Sequence, residues 1–538
     1  MTPPPPRRLL ARNGLVHTGQ PTERHTAVAW EGDRIVGTGD EQWASAYDGA
    51  DEVVDLDGRL VTPAFVDAHV HTVATGFLRT QLDLVGTQSL EACLAAVETA
   101  HRDDRGSGDA AGVLLGTGWD ESGWTERRAP TAAEIDRAAP GRMTYLNRVD
   151  GHSAVVSTPL AARVPGLASL PGWHPTGLVE REAYAAVNAT LAGLIGPAQR
   201  LAAARAAVAD MARHGIAAFH ENAAPHLGPI DELALVRQAA EEAGLAATLY
   251  WGALAEGPET FALMRAHGAV GLAGDLNADG AVGSCTAAMT QPYTATADHG
   301  ARLPHDHRGH EFLSPEQVAA HVAACTRAGV QAGFHCIGDA ALDVVADGFE
   351  RVAREIGDDA LRRCRHRLEH VEMPSAAVRR TMARLGVVAS VQPVFDRLWG
   401  GPEGMYAQRL GGRWREMNPF APMQREGVRL ALGSDGPVTA MGAWAAVAAA
   451  AQHRREGFAL SPSEALVAHT AGGWGAAGVD DAGRLTAGQR AHLAVWPSRP
   501  GASARSDWLP LAVQDESDLL CDDLWVDGLA IARPGHRP

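Results

Sequence analysis

The stretch Ala64-Phe-Val-Asp-Ala-His-Val-His71 joins an apolar run to a pair of histidines. A short run of this kind predicts a buried β-strand. Side chains at alternate positions of a strand point to one side, so His69 and His71 face the same space. Two neutral imidazoles that converge in this way supply half of a zinc site.

Seven further apolar runs follow along the chain, and helical patterns lie between most of them. The runs cover residues 216–221, 247–251, 270–276, 331–336, 367–371, 387–391 and 430–434. Eight strands that alternate with helices predict an α/β fold, a (β/α)8 TIM-like barrel. In such barrels the chemistry takes place at the carboxyl ends of the strands.

The two ends of the chain have a different character from its middle. Residues 1–61 and 480–538 contain short strand patterns separated by glycine-containing turns, including a hairpin pattern at 483–496. We expect both ends to form one small β-sandwich domain around a barrel at 62–479. The gap after the first barrel strand is too long for a loop, so we expect an insertion at about 76–212.

Other predicted barrel strands also end in metal-ligating side chains. His335 ends the fifth run, His370 ends the sixth, and Asp435 directly follows the eighth. A barrel gathers all of its strand ends around one axis, so these three residues meet His69 and His71. The sequence therefore predicts a metal site made of four histidines and one aspartate.

Composition excludes several kinds of chemistry. The chain has 47 basic residues and none of them is lysine. A Schiff-base lysine, a Walker lysine and a carboxylated lysine between two metals are all impossible. The net charge of −17 argues against nucleic acid as a partner, because an acidic protein repels phosphate backbones.

The sequence also predicts a cytoplasmic location. Its six cysteines form no C-x-x-C pair, which fits a reducing compartment. The first ten residues do not resemble a signal peptide, and no apolar run is long enough to span a membrane.

Many of these stretches resemble a known family, the amidohydrolase superfamily, and within it the type 3 group that includes N-substituted formamide deformylase-like proteins. The matching stretches are Thr62-Pro-Ala-Phe-Val-Asp-Ala-His-Val-His71, Gly116-Thr-Gly-Trp-Asp120, Asp150-Gly-His152, Ala278-Asp-Gly-Ala-Val-Gly283, Phe334-His-Cys-Ile-Gly-Asp-Ala340, Arg365-His-Arg-Leu-Glu-His370, Val391-Gln-Pro393 and Gly433-Ser-Asp-Gly-Pro-Val438.

The resemblance implies a divalent metal, with zinc expected, at one or two ions per chain. It places the metal ligands at His69, His71, His335, His370 and Asp435. It also makes Asp435 the general acid and base, and it gives His370 a catalytic role beside the water or substrate. The implied partner is a small-molecule substrate, and relatives suggest a homodimer.

One position departs from the family pattern. Many relatives carry a lysine on the fourth strand that bridges two metals once it is carboxylated, and Asp275 stands at that place. Asp275 could ligate a metal directly, Glu221 could bridge, or Asp275 could only hydrogen-bond within the barrel. We favour a single metal held by His69, His71, His335 and Asp435, with His370 hydrogen-bonding to water or substrate.

Further residues are weaker candidates for the site. Four are expected to contact the substrate: Trp119, Asp120, His152 and Gln392. A core position is the alternative for Trp119. Asp339 and Glu369 are expected to orient the neighbouring histidines, and a helix N-cap is the alternative role for Asp339.

Together these observations predict a hydrolase of a carbon–nitrogen bond outside ordinary peptides, of the amide or N-formyl type. Metal-activated hydroxide would attack the carbonyl, and Asp435 would carry the proton. Three alternatives stay open at this point: a mononuclear deaminase of a heterocycle, an esterase or lactonase, and a degenerate barrel that binds a small molecule without turnover.

Overall fold

The structure is a computed structural model that describes residues 6–20, 25–107, 112–121, 124–148, 153–294, 304, 306–497, 509–512 and 519–531, without the side chains of 104–107. The chain divides into two compact units. One combines Met1–Thr72 with Val208–Pro538, and the other is Val73–Ala207.

The strands in chain order are β1 (Arg8–Arg12), β2 (Leu15–Val16), β3 (Ala27–Glu31), β4 (Arg34–Gly39), β5 (Glu52–Asp55), β6 (Leu60–Pro63), β7 (Phe65–Val70), β8 (Leu82–Asp83), β9 (Leu114–Trp119), β10 (Thr144–Arg148), β11 (Ser153–Val156), β12 (Leu178–Glu180), β13 (Ile216–Ala223), β14 (Ala246–Trp251), β15 (Gly271–Leu272), β16 (Gln331–Cys336), β17 (Arg367–His370), β18 (Val388–Val391), β19 (Arg429–Leu432), β20 (Leu493–Trp496), β21 (Asp523–Val526) and β22 (Leu529–Ala530).

The helices are α1 (Glu41–Ala44), α2 (Thr72–Thr80), α3 (Leu90–Ser107), α4 (Ala132–Ala138), α5 (Thr158–Ala161), α6 (Arg181–Leu194), α7 (Pro197–Arg213), α8 (Glu232–Ala243), α9 (Pro258–Ala266), α10 (Pro315–Ala328), α11 (Asp339–Ile356), α12 (Asp358–Cys364), α13 (Ala376–Leu385), α14 (Pro393–Trp399), α15 (Met405–Leu410), α16 (Phe420–Arg425), α17 (Ala443–Ala451), α18 (Pro462–Ala468) and α19 (Ala471–Ala476). Among the described residues, no helix combines the length and the apolar character needed to cross a membrane.

The larger unit is built on an eight-stranded parallel sheet in the order β19-β18-β17-β16-β15-β14-β13-β7. Its two edges approach each other, because Val70 pairs with Gly436 and the Asp435 amide donates to the His69 carbonyl at 2.8 Å. The sheet is therefore a nearly closed barrel, and the predicted barrel fold is confirmed. All eight predicted runs overlap barrel strands, although only Gly271 and Leu272 of the run 270–276 are in a strand.

The local sequence explains why the barrel elements form. Parallel strands are covered on both faces, so they are mainly apolar, and every residue of β7 is buried. The helix α10 shows how the intervening helices are bounded. Ser314 and Gln317 form a capping box at its start, and Gly329 ends it with φ +68°.

The chain ends form two small sheets in the same unit. One has the order β4-β3-β1-β5 and the other the order β2-β6-β20-β21-β22. Both contribute to one apolar cluster, in which the rings of Trp30 and Trp525 lie 5.7 Å apart. Because β6 pairs with β20, residues from both ends of the chain share a sheet.

The predicted hairpin at 483–496 is wrong. Only Leu493–Trp496 is a strand, and its partners are β6 and β21. The Leu485 amide instead donates to the Thr18 carbonyl at 3.0 Å, which ties the preceding segment to the N-terminal part of the chain. The alternation of apolar residues here reflects burial in a loop.

The unit Val73–Ala207 has its own sheet, in the order β12-β11-β10-β9-β8, with β8, β9 and β10 parallel. Two apolar clusters stabilise it. One gathers Tyr145, Val156 and Val187, and the other gathers Leu90, Trp119 and Trp124. This insertion is therefore a folded unit with its own core.

Candidate metal centre

His69 on β7 and His71, which directly follows this strand, form the base of the site. His69 is fully buried and His71 is largely buried, and their ring centroids lie 5.2 Å apart. Strand alternation places both rings on the same side, as the sequence predicts.

Asp435 joins them from the far edge of the sheet. It follows β19 and has φ +56°. Its Oδ1 lies 3.1 Å from His71 Nε2 and 3.4 Å from His69 Nε2. The hydrogen bond from its amide to the His69 carbonyl fixes the loop against β7. The near-closure of the barrel thus builds this part of the site.

Asp275 completes a group of four donors. It follows β15, with Oδ1 3.4 Å from His69 Nε2 and Oδ2 3.3 Å from His71 Nε2. The short aspartate at the usual lysine position therefore reaches the histidines. Glu221 does not take that place, because its Oε2 accepts the Thr72 amide hydrogen at 2.8 Å.

His335 and His370 flank these four residues. Their ring centroids are 4.4 Å apart, and the His370 ring is 5.0 Å from the His69 ring. In the described part of the chain two donor groups have atoms within 4.8 Å of one another: His69, His71 and Asp435, and His69, Asp275 and His370. His335 belongs to neither group, so Asp275 fits the donor set better than His335 does.

Two polar side chains orient the histidine rings. Glu369 Oε2 lies 2.8 Å from His69 Nδ1, and Gln392 Oε1 lies 2.8 Å from His370 Nδ1. A carboxylate only accepts hydrogen bonds, so His69 donates its Nδ1 hydrogen to Glu369 and turns Nε2 toward the other donors. Gln392, which was expected to contact substrate, thus orients His370. Glu369 orients His69 across the barrel interior.

The sequence prediction missed Asp279, which supports His335. Its Oδ1 accepts the Ile337 amide hydrogen at 3.0 Å and lies 3.7 Å from His335 Nδ1. Asp339 was expected in that role, but its Oδ1 accepts amide hydrogens from Thr290 and Ala340 at the start of α11. The signal for Asp279 was its place within the Ala278–Gly283 family stretch, next to the turn that follows β15.

The remaining predicted contacts lie in the unit Val73–Ala207. Trp119 is 1% exposed and donates from Nε1 to the Leu146 carbonyl at 2.9 Å, so it is a core residue there. Asp120 Oδ1 lies 3.3 Å from Arg148 Nη2, in an ion pair within this unit. His152 falls outside the described residues.

The electrostatics of the cluster favour positive charge. Burial disfavours a charged His69, but the carboxylates of Asp435, Glu369 and Asp275 outweigh this and raise its pKa to about 10. Burial and the neighbouring His335 lower the pKa of His370 to about 4. The site thus attracts a cation on the side of the carboxylates.

The donor set fits a divalent metal ion. His69 Nε2, His370 Nε2 and Asp275 Oδ1 are buried without a hydrogen-bond partner, which is costly unless another ligand satisfies them. Donors around a tetrahedral zinc with bonds of about 2.0–2.1 Å are about 3.3–3.4 Å apart. The four histidine–carboxylate distances among His69, His71, Asp275 and Asp435 are 3.1–3.4 Å and agree with this spacing, with Asp275 offering Oδ1 to His69 and Oδ2 to His71.

Comparisons with known proteins agree with this reading. A model of the amidohydrolase family matches residues 52–529. The chain is 27% identical over 533 residues to N-substituted formamide deformylase of Arthrobacter pascens, with 90% of this chain and 92% of that protein covered. It is 28% identical over 467 residues to Protein LONG AFTER FAR-RED 3 of Arabidopsis thaliana, with 80% and 75% covered.

A solved structure with a similar fold is an uncharacterized metal-dependent hydrolase from Pyrococcus furiosus. It matches with a TM-score of 0.74 at 21% identity, covering 91% of this chain and 99% of that one. The family model extends over most of the sequence and includes every residue of the donor cluster. The chain therefore belongs to the amidohydrolase family of metal-dependent hydrolases.

Proposed function

We propose that this protein hydrolyses a carbon–nitrogen bond outside ordinary peptides, in a small-molecule substrate of the amide or N-formyl type. Its family supports hydrolysis of carbon–nitrogen bonds in general. The narrower bond type is favoured by the similarity to a protein named N-substituted formamide deformylase over nearly the full length of both chains.

The observation that carries the proposal is the convergence of buried donors at the carboxyl ends of the barrel strands. We propose that His69, His71, Asp275 and Asp435 hold one zinc ion, with His370 adjacent. A bound zinc ion would lower the pKa of a water molecule toward neutrality and polarise a carbonyl oxygen.

Asp435 is the residue best placed to move protons. Its Oδ1 lies 3.4 Å from His69 Nε2 and 3.1 Å from His71 Nε2, so the carboxylate faces the centre of the cluster. From there it takes a proton from the attacking water and delivers it to the leaving nitrogen. The proton that water loses on attack is therefore the proton that the leaving amine gains.

His370 has a different part. Its Nδ1 hydrogen points to Gln392 Oε1, so its Nε2 presents a lone pair and no hydrogen. It therefore accepts a hydrogen bond from water or binds the cation, and it does not donate to the substrate carbonyl. Gln392 keeps the ring in this orientation.

The test is a hydrolysis assay on a panel of neutral N-substituted formamides, longer-chain amides, aryl esters and amino-heterocycles. We expect formate or another carboxylate together with an amine, loss of that activity after chelation, and its return with zinc. Ammonia from the heterocycles would instead indicate a deaminase. An inert protein that still binds zinc would reject hydrolysis and favour a binding role.

A further inference from the structure

A buried guanidinium lies in the interior of the barrel beside the donor cluster. Arg367 is two residues before Glu369 on β17 and has 0% exposure. Its Nε lies 2.6 Å from Glu369 Oε1, and its Nη2 lies 2.9 Å from Glu369 Oε2. The two side chains form a bidentate pair, the strongest geometry for an arginine and a carboxylate.

The same guanidinium contacts the strands around it. Nη1 lies 3.0 Å from His220 Nδ1 on β13, and Nη2 lies 2.7 Å from the Ala68 carbonyl on β7 and 3.1 Å from Ser390 Oγ on β18. Its carbon centre sits 4.5 Å from the Tyr250 ring centroid on β14. One side chain thus joins its own strand to four others.

These contacts lead directly to His69. Glu369 Oε2 accepts hydrogens from both Arg367 Nη2 and His69 Nδ1. The Ala68 carbonyl that accepts from Arg367 belongs to the residue immediately before His69. Arg367 therefore restrains the ring of His69 through Glu369 and its backbone through Ala68. The His69 Nε2 atom, which has no hydrogen-bond partner, is left facing Asp275 and Asp435.

We propose that Arg367 is a positioning residue of the metal centre: it locks Glu369, and through Glu369 the His69 imidazole, with Nε2 directed at the cation. This rests on the proposed function, because it presumes that the cluster binds a metal. Without the guanidinium, the Glu369 carboxylate loses two of its three hydrogen bonds, and the His69 imidazole is left bonded to a carboxylate that no other described residue orients.

The chemistry requires arginine at this position. A guanidinium offers five N–H groups in a rigid plane, and here they reach a carboxylate, an imidazole, a carbonyl and a hydroxyl. A lysine ammonium has three donors around one point, too few for the five acceptor atoms that the guanidinium reaches. Charge alone at residue 367 is therefore expected to be insufficient.

The experiment compares the zinc affinity of the wild type with that of three variants, Arg367→Met, Arg367→Lys and Glu369→Gln. In each case the protein competes for zinc with a chromophoric chelator. Changes to residues that orient a metal ligand weaken metal binding by about 10- to 100-fold, and we expect this for Arg367→Met. Arg367→Lys should not restore the affinity. The visible spectrum of the Co²⁺-loaded protein should change in the same variants.

The matched control is Arg384→Met, which removes a partly exposed guanidinium that contacts Glu350 at 2.6 Å. It should bind zinc like the wild type and leave the Co²⁺ spectrum unchanged. Thermal unfolding of every variant shows whether it is folded under the assay conditions.

A double variant separates positioning from general destabilisation. If Arg367 acts mainly through Glu369, adding Arg367→Met to Glu369→Gln should weaken zinc binding by less than Arg367→Met does in the wild type, with the remainder due to the lost Ala68 contact. If the loss of zinc affinity in the double variant equals the sum of the losses in the two single variants, the proposal is overturned. Wild-type zinc affinity in a folded Arg367→Met protein would overturn it as well. If Arg367→Met fails to fold, the double variant Arg367→Met with Glu369→Leu, which removes both buried charges, is measured instead. Wild-type zinc affinity in that double variant would also overturn the proposal. A wild-type protein that binds no zinc would instead reject the proposed function.

Discussion

Replacing Asp275 by asparagine tests the donor set most directly. The two side chains have nearly the same size, so the change removes the charge and leaves the packing. The wild-type carboxylate lies 3.4 Å from His69 Nε2 and 3.3 Å from His71 Nε2. We expect Asp275→Asn to bind zinc much more weakly than the wild type, because a neutral amide oxygen replaces an anionic ligand.

The structure gives the size of the effect. Zinc held by His71 Nε2 would lie no farther from Asp275 Oδ2 than that nitrogen does, 3.3 Å, and even two opposite unit charges at this distance attract by about 5 kcal/mol at an effective dielectric constant of about 20. Desolvation of the carboxylate offsets part of this, and losing one member of a buried charge pair costs about 2–5 kcal/mol. At about 1.4 kcal/mol per factor of ten, zinc affinity should fall between about thirtyfold and several thousandfold.

The assay combines elemental analysis of the purified protein with zinc titration against a chelator of known affinity. The control is Asp339→Asn, whose carboxylate accepts the Thr290 and Ala340 amide hydrogens in the first turn of α11 and contacts none of the four proposed ligands. Equal zinc affinity in wild type and Asp275→Asn would refute the four-donor arrangement and make Asp275 a barrel hydrogen-bonding residue. Two metals in the wild type and one in the variant would show that Asp275 bridges, in place of the missing lysine.

Four other outcomes are expected. Asp435→Asn should lower kcat by about a hundredfold to ten-thousandfold even at saturating zinc, since the proton carrier is lost; an unchanged kcat would remove Asp435 from proton transfer. Gln392→Ala should reduce kcat/KM by about 10- to 100-fold with little change in melting temperature, because His370 loses its orientation. Gly473→Ala should lower the free energy of unfolding by about 1–3 kcal/mol in urea denaturation, because the new Cβ would lie 2.5 Å from Val66 Cβ; stability equal to the wild type would show that α19 can shift away from β7. Free zinc at 100 times its Kd should stabilise the folded protein by about 2.7 kcal/mol, so calorimetry of chelated protein should show a lower melting temperature that zinc restores.

The barrel was predictable because its signals are local. Parallel strands covered on both faces are mainly apolar, and each of them appears in the sequence as a short apolar run that ends in or near polar residues. The segment 483–489 was predicted wrongly because a buried loop can show the same local apolar pattern as a strand. Leu485 is buried like a strand residue, but its amide bonds to Thr18, far away in sequence. A local pattern cannot distinguish these two kinds of burial.

The donor residues were predictable from their positions at strand ends, but their partners were not. Glu369 was expected beside its sequence neighbour His370, yet it bonds His69 across the barrel. Arg367 received no role, because nothing local shows that a charged side chain points into a barrel interior. Trp119 matched a family stretch, but its burial depends on the packing of a whole unit.

The interior guanidinium also bears on how the barrel assembles. Arg367 finds its partners on β7, β13, β14, β17 and β18, and these strands come from distant parts of the chain. A barrel that lacks one of these strands leaves a buried charge incompletely paired, at a cost on the order of several kcal/mol. Partly assembled barrels are disfavoured for that reason. We therefore expect the barrel and its donor cluster to form together in a single cooperative folding step.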